Sequence, residues 1–104
     1  MAAIMIVYMN VTKRDWMTEY FEHVPKILAE YGAISIAGGY NISCVEGDMP
    51  PPDRVAVFSF PSVSAAIRCL DDPRYLRFKQ TRQSGSVASV FVFDNLVTGN
   101  SEIV

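Results

Sequence analysis

Ala2-Ala3-Ile4-Met5-Ile6-Val7-Tyr8-Met9 opens the chain almost without a polar side chain. A strand with one face in water alternates apolar and polar residues, and this stretch does not. Val87-Ala88-Ser89-Val90-Phe91-Val92-Phe93, near the other end, reads the same way. Both predict strands that are covered on two faces. The first run stops before Asn10, far short of the roughly 20 apolar residues that cross a bilayer. It also lacks the positive leader and small-residue cleavage site of a secretory signal, so it reads as a strand.

A chain of 104 residues has room for one core. Half of its residues are apolar and 19% are charged, a balance that predicts folding over disorder. A net charge of -2 gives no basic field for a nucleic-acid backbone, so neither nucleic acid nor a membrane is expected as partner. Cys44 and Cys69 stand far apart, outside any C-x-x-C and away from a histidine. They read as two reduced, buried thiols of a cytoplasmic protein, with no metal site. Nucleotide, P-loop, zinc-helix and serine-elbow motifs are absent from the sequence, and no cofactor is expected.

The pattern between the two apolar runs fixes the order of elements. After a strand over about 3–10, Asn10 to Asp15 offer a turn and helix-start residues. A helix then runs to Tyr31, and Gly32 ends it in the left-handed region. Ala33 to Glu46 read as a long strand bent at Gly38-Gly39, followed by a proline-stiffened connector over 47–53. Arg54 to Phe60 form a third strand, and Ser62 is placed to cap the next helix. That helix breaks at Asp71-Asp72-Pro73, where Asp72 caps a continuation to about Gln83 with proline at its first position. Ser84-Gly85-Ser86 make a turn, Val87 to Leu96 the last strand, and 97–104 a tail behind the single domain of 1–96.

The predicted fold is therefore α+β: a ferredoxin-like βαββαβ arrangement, a four-stranded antiparallel sheet with both helices on one face. The other face would carry Ile, Val and Phe from several strands, more than a soluble monomer leaves bare. A second copy packed sheet against sheet, giving a homodimer with two-fold symmetry, supplies the missing cover.

Glu46-Gly47-Asp48 before a proline, Phe60-Pro61-Ser62, Ala65-Ala66, Asp72-Pro73-Arg74-Tyr75 and Arg82 resemble the family called domain of unknown function 1330. The resemblance runs from about Met5 to Leu96 and implies the dimeric α+β barrel superfamily, with a small-molecule cleft between sheet and helices. Relatives in that superfamily include cofactor-free monooxygenases, lactone isomerases, polyketide cyclases and haem-degrading enzymes. Ser59 stands where family members usually carry a glutamate, so a catalytic role of that acid would be missing here. The glycine pair common after the first helix is Gly32-Ala33, and the aromatics common before the D-x-P-x-Y stretch are Cys69-Leu70.

Several side chains could carry chemistry. At 3.6 residues per turn, Trp16, Tyr20, Val24, Ile27 and Tyr31 share an inward stripe of the first helix. His23, the single histidine, lies at its edge and is the candidate acid or base, with Tyr20 beside it. Its plainer reading is a half-exposed ring paired with Glu19 four residues back. Tyr40 next to the glycine bend, Ser59 in the third strand and Ser62 at a helix start are candidate substrate contacts, as are Trp16 and Tyr75. Structural roles account for most of these equally simply. Arg82 shares a stripe with Tyr75 and Phe78, so its guanidinium either holds a carboxylate or pins Asp48 of the connector.

These residues fit an enzyme without a cofactor acting on a small, partly aromatic metabolite in the sheet–helix cleft, by isomerisation, cyclisation or oxygenation. A non-catalytic binding module of the same shape fits them too. A third option is an interaction role, with the Ile103-Val104 tail reaching across the dimer or to another protein.

Overall fold

The computed structural model describes residues 2–97, so the tail expected over 97–104 lies almost wholly outside the described residues. Along the chain run β1 (Ala3–Val11), α1 (Met17–Glu30), β2 (Ile34–Tyr40), β3 (Arg54–Phe60), α2 (Val63–Leu70), α3 (Pro73–Gly85) and β4 (Ser86–Asp94). The strands form one antiparallel sheet in the order β2-β3-β1-β4. This is the ferredoxin-like arrangement, with α2 and α3 in the place of its second helix.

Register decides which side chains meet the helices, because residues opposite one another across a ladder share a face. Met5 pairs with Phe58 and Val92, and Ala3 pairs with Phe60, all toward the helices. Ile4, Ile6, Val57, Phe91 and Phe93 therefore point the other way, where no described helix covers them. Phe91 keeps 54% of its surface exposed and Phe93 45%. The helix-side core is densest at the end where Ala3 and Phe60 meet Ala65, Ala66 and Cys69 of α2. Burial pushes the Cys69 thiol up to about 11, which leaves it a packing group.

Local signals explain the boundaries. Gly32 ends α1 at φ 82°, and a Cβ there would lie 2.6 Å from Pro61 Cγ, so the position demands glycine twice over. Ser62 caps α2 by accepting from Ala65 N–H at 3.0 Å. Asp72 caps α3 through Arg74 N–H at 2.8 Å, one residue after which Pro73 opens the helix.

Four expectations are corrected. β2 stops at Tyr40 rather than Glu46, because Asn41 turns to φ 60° and the run Pro50-Pro51-Pro52 has no N–H to continue a ladder. Cys44 consequently falls in an exposed connector, its thiol donating to Glu46 O at 3.2 Å, and only Cys69 is buried. The irregularity in β2 lies between Ser35 and Ala37, whereas Gly38 and Gly39 pair regularly with Ala56 and Val55. Gly85 forms no separate turn: α3 runs straight into β4.

That last junction is a clasp. The Gly85 carbonyl accepts from Thr12 N–H at 2.8 Å, Lys13 N–H at 3.0 Å and the Trp16 indole N–H at 3.2 Å. The indole, buried over Gly85, ties the start of α1 to the end of α3. A second staple joins the opposite ends of the same helices. The buried Asp72 carboxylate accepts from the Tyr31 hydroxyl at 2.8 Å and from Arg74, whose guanidinium also reaches Glu30 at 2.9 Å.

Gly85→Ala tests the clasp. Alanine gains about 1 kcal/mol over glycine inside a helix, but its methyl would collide with the Trp16 ring. Overpacking costs about 1–3 kcal/mol and the displaced indole loses hydrogen bonds of about 1 kcal/mol each, so the variant is expected to lose about 1–2 kcal/mol in urea unfolding. Asp72 governs acid stability. The Arg74 guanidinium, then the Tyr31 hydroxyl, hold its carboxyl well below the usual carboxylate range. The unfolded chain therefore binds this proton first, and the staple's contribution, whole at neutral pH, fades as pH falls below about 5. Thermal melts of Asp72→Asn should show a lower Tm than wild type at pH 7 and a narrowing gap toward pH 3.

Candidate functional site

α1 leans on α3, and the space between α1 and the β2–β3 side of the sheet is left hollow. The resulting cavity has a volume of about 350 Å³, at the small end of ordinary ligand sites. Its floor is the helix-facing row of the sheet: Met5, Val7 and Met9 of β1, Ala56 and Phe58 of β3, and Val90 of β4. Gly38 and Ala56, opposite one another in the ladder, keep that floor low. The roof is α1, through Tyr20, Phe21, Val24, Pro25 and Leu28. Pro25 lies within an unbroken α1, and its missing N–H leaves the Phe21 carbonyl without its usual helical donor.

The polar groups gather at two places. At the rim stand Tyr40, 71% exposed, and Arg54, whose guanidinium lies 5.5 Å over the Phe21 ring. Both also border a more polar hollow outside the mouth, lined by Arg14, Asn41 and Asp53. Inside, Tyr20, Tyr75 and Arg82 converge. Arg82 is only 4% exposed and donates to the Tyr75 hydroxyl at 3.4 Å. The Tyr20 hydroxyl interacts with both groups; burial and the neighbouring Tyr75 hold it above the usual phenol range, while Arg82 pulls it back.

The structure thus gathers Tyr20, Tyr75, Arg82 and Tyr40 around one cavity and places the other candidates elsewhere. His23 stacks on Phe78 at 5.4 Å on the α1–α3 seam and does not line the cavity. Glu19 bonds Arg77 at 3.4 Å instead of His23. Trp16 belongs to the Gly85 clasp and reaches the site through Tyr20, whose ring it meets edge-on at 5.2 Å, and Phe21, at 6.3 Å. Ser59 lies on the open sheet face opposite Ile4 and Ile34, and Ser62 is a helix cap. Asp48 is exposed and makes no bond to Arg82, so the connector is not pinned there.

Arg54, Phe21, Gly38 and Ala56 were not among the sequence candidates. The alternation of β3 would have placed Ala56 beside Phe58 and Phe60 on the helix face, but only the ladder brings Gly38 opposite it. Among the described residues, no three His, Cys, Asp or Glu side chains converge as metal ligands. No described helix is long and apolar enough to cross a membrane.

Solved structures of several proteins share this architecture. A protein of unknown function from Rhodopseudomonas palustris superposes with a TM-score of 0.77 at 16% identity, over 93% of this chain and 84% of that one. SnoaB, a cofactor-independent oxygenase from Streptomyces nogalater, gives 0.66 at 12% identity, covering 96% and 98%. A dabb family protein with a ferredoxin-like fold from Mesorhizobium loti gives 0.64 at 15%, covering 92% and 98%. At such identities the likeness shows the fold alone. No curated protein matches in sequence. The family of the Domain of unknown function (DUF1330) matches residues 2–96, and the chain belongs to it.

Proposed function

We propose that the protein is a cofactor-independent enzyme, of the isomerase, cyclase or monooxygenase type, acting on a small, partly aromatic metabolite in the sheet–helix cavity. The observation that carries this reading is the apolar hollow with Tyr20, Tyr75 and Arg82 converging inside it. Hydrocarbon walls with a few placed polar groups are what a small-molecule site requires. Arg82 and the two tyrosines bind and orient the substrate, and Tyr40 contacts it at the rim. A shared fold with SnoaB, a cofactor-independent oxygenase, adds support by analogy only.

One observation favours a second reading, a non-catalytic ligand-binding module. Among the described residues, no aspartate, glutamate, histidine or cysteine lines the cavity, so a carboxylate, imidazole or thiolate base is missing from these walls. Turnover then has to draw on stabilised negative charge rather than on proton abstraction by a side chain.

The protein acts as a homodimer in this reading, its bare sheet face closed by a second copy. Ile4, Ile6, Val57, Phe91 and Phe93 form a patch that a soluble chain hides. Native mass spectrometry of freshly purified protein is expected to show twice the 11.6 kDa chain mass, with a retained small molecule. Phe91→Asp buries a charge in that interface and should shift the species to a single chain. Ala56→Phe fills the cavity floor and should release the retained molecule while the dimer persists. His23→Ala should leave it bound. Retention by Ala56→Phe, with loss by His23→Ala, would move the site to the α1–α3 seam and end this reading.

A further inference from the structure

Arg82 sits in the last turn of α3 with its guanidinium inside an apolar cavity, and a guanidinium stays charged under all ordinary conditions. Buried charges in proteins are paired, yet among the described residues no carboxylate reaches this one. The nearby acids are occupied: Asp72 and Glu30 hold Arg74, and Glu19 holds Arg77. Among the described residues, Arg82 donates to the Tyr75 hydroxyl and stands beside that of Tyr20. Arg82 itself lines the cavity, so a guest there lies within reach of its guanidinium. Tyr75 uses an oxygen lone pair on Arg82, which leaves its own O–H to donate. Tyr20 keeps its proton throughout the physiological range, because burial opposes the phenolate. Three groups able to donate thus line the same space, and among the described residues no acid does.

We infer that the cavity takes an organic monoanion: a planar oxyanion, carboxylate or ionised enol or phenol, on an apolar body, seated between Arg82, Tyr75 and Tyr20. The inference rests on the cavity being the ligand site proposed above and adds the charge of the ligand. A single cation fits one negative charge, and the Met, Phe and Val walls fit hydrocarbon, so inorganic phosphate is excluded as a guest. By linkage the ionised form binds selectively, and the ligand's own pKa falls on binding.

Three probes of similar size separate the outcomes in full-length protein: benzoate, neutral benzyl alcohol, and 4-nitrophenol, whose ionised form absorbs visible light. Wild type is expected to bind benzoate about ten- to hundredfold more tightly than benzyl alcohol, the range of a hydrogen bond to a charged group. The 4-nitrophenol complex should show the phenolate band at a pH where the free probe is mostly protonated. Arg82→Met should lose both effects yet still bind benzyl alcohol, and Arg82→Lys should restore part of each. Should Arg82→Met fail to fold, the wild-type probe spectra and the lysine variant decide alone. Equal affinity for benzoate and benzyl alcohol would overturn the inference while leaving the cavity as a ligand site. Displacement of 4-nitrophenol by inorganic phosphate would overturn it as well. Absence of binding by all three probes would overturn both the inference and the reading beneath it.

Discussion

A sheet that carries hydrocarbon on both faces cannot be satisfied by helices on one of them. Ile4 and Met5 are neighbours on β1, yet one points to Phe93 on the open side and the other to Phe58 under the helices. Every later feature of the molecule follows from how that double demand is met. The helix side is covered within the chain. No described element covers the open side, and burying apolar area is worth about 25 cal/mol for each square ångström removed from water.

The helix cover is uneven, and that unevenness makes the cavity. α2 brings Ala65, Ala66 and Cys69, small side chains that let it sit close on Ala3 and Phe60. α1 is held instead from its ends, by the Trp16–Gly85 clasp at one and the Tyr31–Asp72–Arg74–Glu30 staple at the other. Both anchors tie α1 to the neighbourhood of α3 and not to the strands. A helix fixed this way can stand over a gap that packing alone would close, since an apolar void costs stability in proportion to its size. Asp72 and Arg74 of the staple belong to the Asp72-Pro73-Arg74-Tyr75 stretch, so the most recognisable motif of the chain serves the scaffold through its first three residues and the site through Tyr75.

The sequence made the architecture legible because its signals are short-range. The two apolar runs form β1 and β4, and Gly32, Ser62 and Asp72-Pro73, each acting within a few residues, end and cap the helices as their chemistry predicts. The site was legible in part: the helical stripe places Tyr20 inward, and a shared stripe links Tyr75 to Arg82. It misplaced Trp16, which sits inward as expected but spends its N–H on backbone. His23 sat too near the stripe's edge for periodicity to decide, and Phe78 of α3, a long-range neighbour, settled it. Ser59 was assigned by analogy to an acid in relatives, whereas strand alternation alone puts it with Val55 and Val57 on the open face. Gly38 opposite Ala56 is a matter of register across a bulge near Ile36, which no local pattern encodes.

The electrostatics of the cavity narrow what chemistry it can support. Its inner groups are a cation and two phenols, of which burial keeps Tyr20 protonated, and among the described residues its walls offer no carboxylate, imidazole or thiol to take a proton. Such a site stabilises negative charge on a guest oxygen, and the low polarity around Arg82 strengthens that effect. It does nothing to pull a proton from carbon. A reaction in this cavity would have to begin with a guest that ionises under its own acidity, the guanidinium favouring that ionisation and holding the product anion in place. Fold and site meet in that requirement, because the gap under α1 is also where Arg82 lies, a buried charge that no carboxylate among the described residues pairs.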